Sequence, residues 1–222
     1  MGSLYLVRHG QASFGAADYD QLSDLGHRQS VRLGEYFKHQ GIAFDAALTG
    51  TLHRQVQTYL GICGGMGVEP QAVRWPGLNE YDSHALIAAV QPDPLGQPTT
   101  GDVYRDYFRQ LKRGLTQWMA GTTSPLGMPA YRDFVAGVTT ALDLVRTNYV
   151  GNVLLVSSGG PISTAVAQVL ACSPAATIEL NLRIRNASVT EMAFTPKRHL
   201  LLTFNTLPHL DAPEYAGWIT YA

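Results

Sequence analysis

Residues 4–7, 44–48 and 153–156 form three short runs that are apolar at nearly every position, and each is followed by a stretch with apolar residues at helical spacing. Strands buried on both faces read as such runs, and the helices between them supply the layers that cover those faces. The alternation predicts an α/β fold, a three-layer α/β/α sandwich with a mainly parallel central sheet. The chain has 222 residues. That length suits one well-buried core, so residues 1–222 are expected to form a single domain.

Local signals set the expected boundaries. Ser23 is placed to cap a helix that carries Leu25, Leu33, Tyr36 and Phe37 on one side, and Gly41 is a natural stop for it. In the next helix Leu52, Val56, Leu60 and Cys63 recur at helical spacing, leaving Arg54 and Thr58 on a different face. Tyr131, Phe134, Val138, Leu142 and Val145 mark another amphipathic helix. Residues 157–160 form a tight loop, after which Pro161 is expected to open a helix with Ile162, Val166, Val169 and Leu170 inward. Residues 188–194 and 200–204 read as two strands joined by a turn around Pro196 and Lys197. Between the halves lie two Pro/Gly-rich stretches, QPDPLGQPTTGD and GTTSPLGMP, around a predicted helix at 103–119. This block is too long for an ordinary loop and is read as an inserted cap at about 75–130. A structural elaboration without a functional role is the competing account.

Composition narrows the function classes. A formal net charge of -1 provides no global attraction to nucleic acid or to an anionic membrane, so any anion binding must come from locally placed arginines. The start MGSLYLVRHG shows no cationic segment leading into an apolar signal core, and no later apolar run reaches the ~18 residues of a membrane span. Cys63 and Cys172 both fall in apolar helical patterns, which favours buried thiols in a reducing cytoplasm over a disulfide. No Cys/His spacing points to a metal, and no cofactor is expected. No helix carries a surplus of apolar surface that would define an oligomeric state.

The chemistry begins where the first strand ends, in Arg8, His9 and Gly10. In open α/β sheets ligands bind at the carboxyl ends of strands. An arginine there can fork onto a phosphate, a histidine can attack it, and a glycine lets the backbone come close.

Taken in order, LYLVRHGQAS, DQLSDLGHRQ, LTGTLHRQVQT, GLNEYD and LLVSSGGPIS resemble the histidine phosphatase superfamily, also called the phosphoglycerate mutase-like family. The likeness runs from residue 4 to about 170, with FNTLPHLD as a weaker echo. The resemblance implies that His9 takes up the phosphoryl group, that Arg8 and Arg54 grip its oxygens, and that Glu80 is the proton donor, with Asp82 close enough to compete. It further implies a small phosphorylated substrate, or inorganic phosphate, as the ligand. His9 must be neutral before attack, with its other ring nitrogen held as a donor. Tyr81, His84, Tyr104 and Trp118 then read either as a partly aromatic wall or as cap core.

One position departs from the family pattern. A second histidine usually precedes Gly-Gly, and this chain has Ser158 before Gly159 and Gly160. Serine keeps at most the hydrogen bond, and losing one preorganised donor costs on the order of 10² to 10³ in rate. Ser158 and Gly159 are nevertheless expected to hold phosphate, because the Gly-rich loop and the helix behind it point free amides and a favourable dipole at an anion. His84 is the candidate to swing into the missing place. The expected activity is a phosphomonoesterase working through phosphohistidine. A mutase-like phosphotransferase is less favoured, because QASFGAADYD follows Arg-His-Gly in place of a Trp-Asn segment. A phospho-ligand-binding pseudoenzyme, disabled by Ser158, is the third reading.

Overall fold

The structure, a computed structural model, describes residues 1–13, 20–91 and 101–221. Asp18, most of the QPDPLGQPTTGD stretch and the side chain of Tyr104 lie outside the described residues. In chain order the main elements are β1 (Gly2–Arg8), α1 (Asp24–His39), β2 (Ala46–Thr49), α2 (His53–Met66), β3 (Val73–Arg74), α3 (Ser83–Ala88) and α4 (Gly101–Met119). They continue with α5 (Tyr131–Asn148), β4 (Asn152–Ser157), α6 (Gly159–Leu170), α7 (Pro174–Arg183), β5 (Val189–Thr195) and β6 (Arg198–Thr206).

The sheet order is β3-β2-β4-β1-β5-β6. The first four strands run parallel, and β5 and β6 add an antiparallel hairpin on the far side of β1. The expected sandwich is present. Strand periodicity explains its two covered faces: Leu4 and Leu6 of β1 and Val153 and Leu155 of β4 enter the core that holds α5 and α6. Val7 of β1 and Leu154 and Val156 of β4 enter a second core, with Leu33 and Phe37 of α1 and Ile62 and Cys63 of α2.

The chain therefore leaves β1 toward one face, through α1, and leaves the adjacent β4 toward the other, through α6. That reversal between neighbouring parallel strands creates a crevice at their carboxyl ends, where ligands bind in such sheets. The register sets Arg8 beside Ser157, so His9 and Ser158 emerge next to each other.

Several boundaries differ from the expectation. Ser23 does cap α1, accepting from the Gly26 N–H at 3.1 Å, and Gly41 follows the helix with φ 66°. Strand β2 starts two residues later than the apolar run. Helix α6 begins at Gly159, two residues before Pro161, and Leu170 at its end is exposed. Cys63 is buried, but Cys172 lies past the end of α6 and is only half-buried. In α2 the predicted apolar stripe fails: Leu60 is 46% exposed, whereas Arg54, Gln55, Thr58 and Tyr59 join Ile62 and Cys63 on the buried face. Polar groups can take the inner face because each finds a hydrogen-bond partner there.

The block before α5 is continuous with the core. Leu111, Leu115 and Trp118 of α4 pack into the cluster that covers the sheet, and the Trp118 ring meets Tyr81 edge-on at 6.0 Å. Trp118 is buried and Tyr81 half-buried in this packing. Helix α7 had no counterpart in the sequence reading, although Ser173 caps it and Pro174 opens it.

Candidate active site

His9 follows the last residue of β1 and is 3% exposed. Its Nδ1 lies 2.7 Å from the Gly10 carbonyl, which can only accept, so Nδ1 carries the proton. Nε2 then holds a lone pair, and Arg54 Nε donates to it at 3.3 Å. Burial, with the positive charges of Arg8 and Arg54 behind it, holds the imidazole well below its ordinary value of 6.5. The ring is neutral and its tautomer is defined, as nucleophilic attack requires.

Two arginines flank this ring. Arg8 Nη1 donates to the carbonyls of Ile184 and Tyr221, both at 2.5 Å. Arg54, at the start of α2, donates from Nη1 to Asp20 Oδ1 at 2.7 Å, and the other Asp20 oxygen accepts from the His53 N–H at 2.9 Å. Asp20 thus fixes the guanidinium and caps the helix that carries it. Thr58, one turn on, accepts from the Gly10 N–H at 3.0 Å and donates to the Arg54 carbonyl at 2.7 Å, tying the end of β1 to α2.

The end of β4 is built from neutral groups. Ser157 Oγ donates to the Leu78 carbonyl at 2.6 Å. Ser158 sits at the cap position of α6 with no exposed surface, and its Oγ accepts from Gln55 Nε2 at 2.8 Å. The Gly160 N–H reaches both oxygens of Glu80 at 3.1 Å, so the positive end of α6 holds a carboxylate. A Cβ at residue 160 would fall 2.2 Å from Glu80 Oε1 and 2.6 Å from the Tyr81 ring, so a side chain there would displace both. At Gly159 a Cβ would fall 2.9 Å from both Asn181 Oδ1 and Ile184 Cγ2.

Burial raises the Glu80 carboxyl above its ordinary 4.5, against the opposing pull of the Gly160 N–H and of Arg54 and Arg8. This acid is therefore electrostatically coupled to both arginines. Gly160 also lines a narrow pocket of about 20 Å³ with Tyr81, Leu115, Trp118 and Phe134.

Asp82 and His84 are placed apart from this cluster. Asp82 caps the short α3, accepting from the N–H groups of His84 and Ala85 at 2.8 and 3.1 Å. The His84 side chain is 86% exposed, with its Nδ1 3.9 Å from Asp82. Among the described residues no group of three His, Cys, Asp or Glu is arranged to hold a metal, and no helix is long and apolar enough to cross a membrane.

Asp20, Gln55 and Thr58 are the site-region residues for which the sequence reading assigned no role. For Gln55 and Thr58 the signal is the recurrence of polar residues at 54, 55 and 58, one turn of one helix face, opposite Val56 and Leu60.

Two solved structures share the fold. A mycobacterial glucosyl-3-phosphoglycerate phosphatase is 22% identical, with a TM-score of 0.65, over 93% of this chain and 99% of that one. A phosphoserine phosphatase from Entamoeba histolytica, in complex with 3-phosphoglyceric acid, is 21% identical with a TM-score of 0.65, over 95% and 100%. Residues 4–207, nearly the whole chain, match the family model of the histidine phosphatase superfamily (branch 1), and the chain belongs to that superfamily.

Proposed function

We propose that this protein is a phosphomonoesterase that hydrolyses a small phosphorylated molecule through a phosphohistidine at His9. The observation that carries this reading is the neutral imidazole with Nδ1–H on the Gly10 carbonyl and Nε2 facing the Arg54 guanidinium. When a phosphoryl group enters, the Arg54 N–H passes from Nε2 to a phosphoryl oxygen and the nitrogen lone pair is released. Arg8 and Arg54 offset the phosphoryl charge and orient it for in-line transfer.

In the first step Nε2 forms a bond to phosphorus while the ester P–O bond breaks, its electron pair leaving with the alkoxide. Glu80, kept protonated more readily by burial, delivers its proton to that oxygen. In the second step the Glu80 carboxylate takes a proton from water, whose oxygen attacks phosphorus as the P–N bond breaks. Inorganic phosphate leaves, and neutral His9 and protonated Glu80 are regenerated. Ser158 donates a hydrogen bond to the transferring group, and Gly159 lets the loop approach it. Asp82, committed to capping α3, is not the acid, and His84 does not supply the missing cation. The block at about 75–130 acts as a cap over the Glu80 side.

The test is rapid mixing with para-nitrophenyl phosphate. A burst of nitrophenolate, an acid-labile phosphoenzyme and stoichiometric release of inorganic phosphate are expected. Return of the phosphoryl group to an acceptor alcohol in preference to water would make the protein a phosphotransferase. Binding of phosphate without any phosphoenzyme would make it a pseudoenzyme.

A further inference from the structure

Gln55 makes hydrogen bonds that determine what Ser158 can do. Its carboxamide is completely buried. Oε1 accepts from the Leu52 N–H at 3.3 Å, and Nε2 donates to the Leu78 carbonyl at 2.9 Å and to Ser158 Oγ at 2.8 Å. The opposite amide orientation would set two acceptors against each other at Leu78 and two donors at Leu52, so chemistry dictates this one.

Ser158 Oγ is therefore an acceptor toward Gln55, and its own hydrogen must point elsewhere. The Leu78 carbonyl cannot take that hydrogen, because Gln55 Nε2 and Ser157 Oγ already fill its two lone pairs. Among the described residues Ser158 Oγ has no other hydrogen-bond partner, although the residue has no exposed surface. A buried donor without an acceptor is costly, and it is a place where a ligand atom belongs.

A glycine makes room for the arrangement. A Cβ at Gly50 would lie 1.9 Å from Gln55 Oε1, so a side chain there would displace the amide.

We propose that Gln55 is a positioning residue that holds Ser158 as a preset hydrogen-bond donor to the transferring phosphoryl group. The inference rests on the phosphohistidine reading given above. The amide N–H polarises the hydroxyl and strengthens its donation.

The experiment measures the nitrophenolate burst for Gln55→Glu, Gln55→Met, Ser158→Ala and the double variant Gln55→Met/Ser158→Ala. A carboxylate at 55 accepts the Ser158 hydrogen and turns it away from the phosphoryl group; methionine removes the amide at nearly constant volume. Both are expected to slow the burst rate about tenfold, as Ser158→Ala does, with the double variant no slower than either single one. KM for the substrate should change less than kcat. Burst amplitude counts correctly folded active sites, so a purely structural role for Gln55 would lower the amplitude and leave the rate per site intact. That result, or losses that multiply in the double variant, overturns the inference while the phosphohistidine reading stands. Absence of any phosphoenzyme in the wild-type protein overturns both.

Discussion

The carboxyl ends of β1 and β4 lie side by side in the sheet, yet they equip the site in opposite ways. The β1 end, with the start of α2, carries Arg8, His9 and Arg54, and it uses burial plus two cations to keep the imidazole neutral. The β4 end carries Ser157, Ser158, Gly159 and Gly160, and it offers hydroxyls and a backbone amide that already binds a carboxylate. Positive charge therefore stands on one side of the crevice and the acid on the other. A hydroxyl at 158 adds no charge to the arginines that oppose protonation of Glu80. In the proposed mechanism the two strand ends divide the tasks: one binds and attacks, and its neighbour holds the proton donor and a neutral hydrogen-bond donor.

The comparison is broken most directly at His9. His9→Ala is expected to abolish phosphoenzyme formation while circular dichroism stays unchanged, because the side chain stands at a ligand edge; retained turnover would remove the β1 end from the chemistry. Next in size is Glu80→Gln, which should slow phosphorylation by alkyl phosphates between about 10² and 10⁴-fold and by para-nitrophenyl phosphate far less, since nitrophenolate leaves without a proton. The pH dependence has a definite sign. In the proposed mechanism phosphorylation needs neutral His9, whose pKa lies well below 6.5, and protonated Glu80, whose pKa lies above 4.5. The rate for alkyl phosphates should therefore fall as pH rises through the Glu80 value, and Glu80→Gln should flatten that limb.

Arg54→Ala is expected to weaken vanadate inhibition about 10²-fold and to slow phosphorylation, because a charge-assisted bond and the contact to His9 are both lost. An unchanged inhibition constant would show that the cationic side of the comparison rests on Arg8 alone. The smallest effect concerns Ser158. Ser158→His by itself should lower activity, since the imidazole meets the Gln55 amide, whereas Ser158→His with Gln55→Ala should exceed the rate of Ser158→Ala. A faster single variant Ser158→His would show that the β4 end has room for a cation as it stands.

Much of the β1 end was readable along the chain. The apolar run before Arg8 and the resemblance of the motifs named His9, Arg8 and Arg54 together. The β4 end was harder, since a serine in a Gly-rich loop does not announce its partner. The proposal that His84 fills the gap shows the difficulty: it lies four residues from Glu80 in sequence, and its side chain stands in solvent. The helix α2 shows the reverse error, where hydropathy marked Leu60 for the core and the fold buried Gln55 in its stead.

By itself the sequence determined the order of the principal strands and helices, β3, α3 and α7 apart, the two-faced burial of β1 and β4, and the cation–imidazole–glycine motif at a strand end. Each of these is a periodic or contiguous signal, set by backbone geometry and apolar burial over a few residues. Only the tertiary structure decided that Asp20 holds Arg54, that Gly160 holds Glu80 across 80 positions, and that Gln55 meets Ser158 across 103. Hydrogen bonds are directional and saturable, so which buried polar groups pair depends on where the fold brings each lone pair and each N–H, and no pattern of hydropathy encodes that.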